Sequence, residues 1–129
     1  MNNFDDVIKI NNLVKERKKL TRQIESLSMP QLVNLDRVQL MYDEVCFQFG
    51  VKKLKRTQRD AFIFVMYSLY SPQALSGNKH RGTIKRHLAK MFDIAPNAIF
   101  PSKLMLYFLR YEDFRKLASV VLDICLTTR

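Results

Sequence analysis

The sequence predicts an all-α fold, a single domain of five or six helices covering residues 1–129, and three observations carry that prediction. Apolar residues, 47% of the chain, recur at three- and four-residue steps through most segments. Only three glycines and four prolines are present, too few for the many turns of an all-β domain of this length. With 26% charged residues the composition is that of a globular protein with a core, not of a disordered chain.

The first element is a long amphipathic helix over residues 4–28. Ile10, Leu13, Leu20, Ile24 and Leu27 fall at alternating three- and four-residue steps, and Val7 and Val14 widen the stripe. Arg17 occupies the one site that breaks the seam. Such heptads suit either a dimerising coiled coil through residues 7–27 or a first helix packed on its own domain. The basic run on this helix (Lys15, Arg17, Lys18, Lys19, Arg22) reads as a solvated face. Residues 31–129 then form a helical core with a basic face.

Pro30 ends the first helix, because proline disfavours helix in the residue before it. A second helix starts at Gln31 or Leu35 and runs to Phe49, with Leu35, Val38, Met41, Tyr42, Val45 and Phe49 on one side. Gly50 is placed to take the left-handed conformation that closes it. A basic connector, Val51 to Arg56, leads to Thr57, which stands three residues before Asp60 as a capping-box start with Asp in place of Glu. Ala61 to Tyr70 is apolar nearly all round and predicts the central buried helix.

Residues 71–82 are the longest turn-rich stretch, punctuated by Pro72, Gly77, Asn78 and Gly82. Lys79, His80 and Arg81 would form a cationic tip. Thr83 is a good N-cap for a helix to Phe92. Leu104 to Tyr111 predicts another strongly apolar helix. Glu112 to Arg115 interrupts it or caps a last helix that turns Phe114, Leu117, Val120, Val121, Ile124 and Cys125 inward.

Cys46 and Cys125 are far apart and form no CxxC pair, so they read as two buried reduced thiols rather than a disulfide or metal ligands. Asp5 and Asp6 stand where a secretory leader would be basic. The longest apolar stretch is about half of the roughly 20 residues a membrane span requires. The expectation is a soluble, cytoplasmic protein with no membrane partner.

Charge is the strongest functional signal. Residues 1–50 hold seven basic and seven acidic side chains, whereas residues 51–129 hold fifteen and five, and so carry the whole net charge of +10. From Lys52 to Lys90 there are ten Lys or Arg against one acid, Asp60. Like charges destabilise a compact chain, but a polyanion rewards them through counterion release. The candidate nucleic-acid-binding residues are therefore Lys52, Lys53, Lys55, Arg56, Arg59, Lys79, Arg81, Lys85, Arg86 and Lys90, with Asn97 and Lys103 beyond them.

One motif refines this reading. In Thr83-Ile84-Lys85-Arg86-His87-Leu88-Ala89-Lys90-Met91-Phe92-Asp93-Ile94, an apolar face is followed by an alanine that permits close approach of a second helix. Leu88-Ala89, then Phe92, Ile94 and Ile99, match the spacing of the helix-turn-helix superfamily, which residues 83–103 resemble. Two departures stand out: Asp93 replaces the usual turn glycine, and Pro101 falls within the second helix, with Ser102 at an apolar site. The resemblance implies that Ala95, Pro96, Asn97, Ala98, Phe100 and Lys103 lie at or near the start of a recognition helix in the major groove. It makes Asn97 a candidate for reading adenine, or else a helix cap. Lys85, Arg86 and Lys90 would meet phosphates.

Catalytic signals are sparse. His80 and His87 are the only histidines, and no HExxH, CxxC or P-loop occurs. The five acids of the basic half are scattered, and adjacent Glu112 and Asp113 point apart on a helix. No cofactor or metal is implied. The sequence thus predicts a non-enzymatic, DNA-binding regulatory or accessory factor, duplex DNA favoured over RNA, of a kind common in bacteria and on phages or mobile elements. The rival expectation is a protein-interaction or assembly module gripping its partner through the heptads and the apolar C-terminal helices.

Overall fold

A computed structural model of the chain describes residues 3–77 and 83–128. Among them the secondary structure is helical throughout: α1 (Asn3–Leu27), α2 (Asp36–Phe49), α3 (Arg56–Tyr70), α4 (Pro72–Leu75), α5 (Ile84–Phe92), a 3₁₀ turn (Pro96–Ala98), α6 (Pro101–Arg110) and α7 (Glu112–Thr127). The class is all-α as the periodicity predicts. The described residues form seven α-helices rather than five or six, and both differences have local causes. Pro72, fixed at a helical φ, opens the single turn α4 inside the stretch expected to be loop, and Ala74 and Leu75 bury its inner side. Tyr111, extended at φ −114° and ψ 113°, separates α6 from α7.

α3 is the central element, as its all-round apolar sequence demands. Every residue from Ala61 to Tyr67 is buried, with Leu69 beyond. Around it pack α4, α5, α6 and α7; α2 lies on α7, and α4 and α7 flank α6. Tyr42 of α2, Phe62 of α3 and Phe92 of α5 meet edge to face, with centroids 5.5–6.1 Å apart. On the other side of α3, Phe64 stacks on Phe108 at 4.7 Å and meets Phe114 edge to face. These two aromatic groups pin α3 to its neighbours.

Helix ends follow the sequence with three corrections. Gly50 closes α2 at φ 67°, and Val51 N–H donates back to the Cys46 carbonyl at 3.0 Å, as expected. Asp93 takes the same left-handed role after α5, at φ 55° and ψ 50°. The start of α3 is different: Lys55, not Thr57, is the N-cap, and its N–H donates to Gln58 Oε1 at 2.9 Å. Thr83 holds the N-cap position of α5, but its hydroxyl makes no capping bond. α2 starts at Asp36, because Gln31 and Leu32 donate instead to the Leu69 carbonyl at 3.0 and 3.1 Å. Arg115 of α7 donates to the carbonyls of Phe108 and Leu109 (3.1 and 3.0 Å), satisfying the end of α6. On α7, Phe114, Ala118, Val121 and Cys125 face the core, while Val120 turns outward.

α1 stands apart. It is not among the packed helix pairs, and its end, at Ile24, Leu27 and Ser28, borders Pro72, Gln73 and Ser76. Its stripe is uncovered: Ile10, Leu13, Leu20, Ile24 and Leu27 are 51–83% exposed. Among the described residues no helix is long and apolar enough to cross a membrane. Cys46 and Cys125 are buried and unpaired, and burial pushes the Cys125 thiol up to about 12.

Candidate nucleic-acid interface

The connector after α2 is short and leaves Lys52, Lys53 and Lys55 in solvent, while Leu54 between them is buried. Tyr42 holds this segment, its hydroxyl accepting the Leu54 N–H at 3.3 Å. α3 then begins at Arg56. Helical spacing places Arg56, Arg59, Asp60 and Ile63 on one side of its first two turns. Ile63 faces the core, so the charged side chains ahead of it come to lie at the core's edge.

Opposite them lies the segment after α5. The Asp93 turn reverses the chain, and Pro96–Ala98 forms a 3₁₀ turn. Ile99 is extended and buried, and Pro101 opens α6. Residues 95–103 are therefore not one continuous helix. Proline lacks an N–H and is tolerated at the first helical position, so Pro101 moves the helix start downstream instead of kinking it. Asn97 is exposed in the 3₁₀ turn, and neither that turn nor α6 has a side-chain cap, so Asn97 caps neither. Lys103 lies in the first turn of α6, its Nζ 5.8 Å from the centroid of Tyr107.

The two segments enclose a notch of about 120 Å³. Arg56, Arg59 and Asp60 line it from α3, and Phe100, Lys103 and Tyr107 from the far side, over a floor that includes Ile94 and Ile99. Three cations from two parts of the chain thus converge. Asp60, half-buried among them, has its carboxyl pushed up by burial, while Arg59, Arg56 and Lys103 oppose that shift. The cations do not pair with it. Among the described residues the one ion pair joins Lys116 to Glu112 on α7, at 3.5 Å. Arg59 Nε is shut from solvent with no hydrogen-bond partner.

The remaining candidates sit elsewhere. On α5, Arg86 and Lys90 are exposed one turn apart, and Lys85 is half-buried. Lys90 borders a different groove, with His87 and the α2 residues Asp36 and Gln39. Lys79 and Arg81 lie outside the described residues. The role of Asp60 in the notch was readable from its helical spacing to Arg56. The approach of Lys103 and Phe100 depends on how α6 packs, which no local pattern encodes. Of the aromatic residues near the C-terminus, Phe108 belongs to the core, Tyr107 is half-buried beside the notch, and Tyr111 is exposed. Among the described residues no group of three or more His, Cys, Asp or Glu could hold a metal ion. No family model, curated protein or solved structure matches the chain.

Proposed function

We propose that this is a non-enzymatic DNA-binding protein, acting as a regulatory or accessory factor, that docks on duplex DNA through the basic residues of the connector before α3, of α3 and of α5, together with Lys79 and Arg81. The observation that carries the reading is that, among the described residues, none of the three notch cations lies within ion-pair distance of a carboxylate. A domain that used Arg56, Arg59 and Lys103 for its own stability would pair them with carboxylates, whereas a binding surface keeps them available. Lys52, Lys53 and Lys55 on the connector and Arg86 and Lys90 on α5 add exposed charge, and Lys85 flanks them. In the helix-turn-helix reading, α5 supplies phosphate contacts and the segment from Asn97 into α6 approaches the bases, with Asn97 free to bond adenine. With few base-reading side chains in that segment, affinity comes mainly from phosphates and sequence discrimination is modest.

The double charge reversal Lys85→Glu with Arg86→Glu tests the assigned face. DNA binding should be abolished in a gel-shift or anisotropy assay, with helicity by circular dichroism unchanged. Undiminished binding would move the interface off α5.

A second reading rests on the uncovered stripe of α1. Five apolar residues exposed at heptad spacing favour a partner helix, and a second copy of α1 would present two basic faces to DNA. The same stripe in a protein that fails to bind DNA favours an assembly module instead.

A further inference from the structure

The notch between α3 and α6 has the features of a site for one compact anion. Two helices turn their N-terminal ends toward it: Arg56 and Arg59 belong to the first turns of the 15-residue α3, and Lys103 to the first turn of the 10-residue α6. Helix N-termini carry partial positive charge and unsatisfied N–H groups, and α6 has no side-chain cap to satisfy its own. Three full positive charges add to this. The most telling group is Arg59, whose Nε is buried without a partner beside the notch. A buried donor left unbonded is costly, so an acceptor entering the notch would relieve it. Asp60 does not fill that role, since no cation lies within ion-pair distance of it among the described residues. The floor is apolar and the space small, about 120 Å³, which suits a tetrahedral oxyanion better than an extended ligand. Phe100, 58% exposed, stands at the rim, where a base attached to that anion would lie against an aromatic face.

We propose that this notch is a specific phosphate-binding site, formed by Arg56, Arg59 and Lys103, that seizes one phosphate of a nucleic acid and fixes the register of the protein on it. The identity of the phosphate's carrier rests on the DNA-binding reading; the affinity for phosphate itself does not. Arg59 supplies a planar fork that two phosphate oxygens match, while Lys103 and Arg56 act chiefly by charge. The exposed connector lysines, by contrast, contribute only to the diffuse field.

The test is a titration of the full chain with inorganic phosphate, followed by backbone and arginine Nε–H resonances in NMR. A single saturable site is expected, with the largest shifts at Arg59 Nε–H and at the Ser102 amide. Arg59→Lys keeps the charge and loses the fork, and should weaken that site roughly tenfold. Lys103→Gln, a change at an exposed side chain, should weaken it without affecting the fold. Lys52→Gln should leave it unchanged. Unsaturable shifts, or equal losses in Arg59→Lys, Lys103→Gln and Lys52→Gln, would overturn the proposal. A second arm adds a duplex oligonucleotide to the phosphate-loaded protein. Displacement of phosphate from the notch resonances supports a nucleic-acid phosphate as the occupant. Saturable phosphate binding that a bound duplex leaves undisturbed refutes that assignment and keeps the notch as a site for a free phosphate compound. Absence of any duplex binding refutes the DNA reading alone.

Discussion

Asp60 is the residue on which the electrostatics of the notch turns. Its burial raises its carboxyl against the pull of Arg59, Arg56 and Lys103; Tyr107 also faces it, and Asp113 of α7 borders the same side. A carboxyl raised in the folded state binds protons more readily than in the unfolded chain. Its contribution to stability therefore falls as pH rises from its unfolded value through its raised folded one. Asp60→Asn should flatten that part of the stability–pH curve in urea titrations run from acid to neutral pH, and should tighten anion binding at neutral pH by removing a like charge. An unchanged curve would place Asp60 in solvent. Phe62 tests the core instead. Fully buried and edge to face with both Tyr42 and Phe92, it should cost about 3–5 kcal/mol on truncation in Phe62→Ala, read as a lower urea midpoint. A loss below about 1 kcal/mol would mean that the aromatic trio does not join α2, α3 and α5 as described.

At the scale of elements, the sequence is most legible where one chemical cause acts alone. Gly50 and Asp93 both take the left-handed position that their place in the apolar pattern assigns, and the unbroken run from Ala61 becomes the buried helix. Legibility fails where tertiary contacts compete with local preference. Thr57 has better capping chemistry than Lys55, yet α3 starts two residues earlier because Gln58 reaches back to the Lys55 N–H. Val120 has the period of an inward residue but is 47% exposed. The notch was half legible: the spacing of Arg56 and Asp60 is visible in the chain, whereas Lys103 arrives through the packing of α6. α1 offers the clearest test at this scale. Leu20, 51% exposed on the outward seam, is dispensable to the fold but central to a helix pair. Leu20→Asp should leave the unfolding midpoint within about 0.5 kcal/mol of wild type. It should also lower the mass in sedimentation equilibrium to that of the monomer. A wild-type mass already monomeric, or a mutant still dimeric, would remove α1 from the assembly.

For the whole molecule, the separation of charge along the chain becomes a separation in space of a different kind from a single basic plate. Arg56, Arg59 and Lys103 share the notch, while Lys90 borders the groove beside α2. Such an arrangement favours one anchored phosphate plus surrounding weak contacts over uniform coating of a polyanion. The few free energies involved are salt-dependent, because each neutralised phosphate releases condensed counterions. Affinity for duplex DNA measured across a salt series tests the nucleic-acid proposal most directly. Engagement of about four phosphates predicts a line of log affinity against log salt with slope near −3.6, whereas a flat line, or no binding even at low salt, would contradict it.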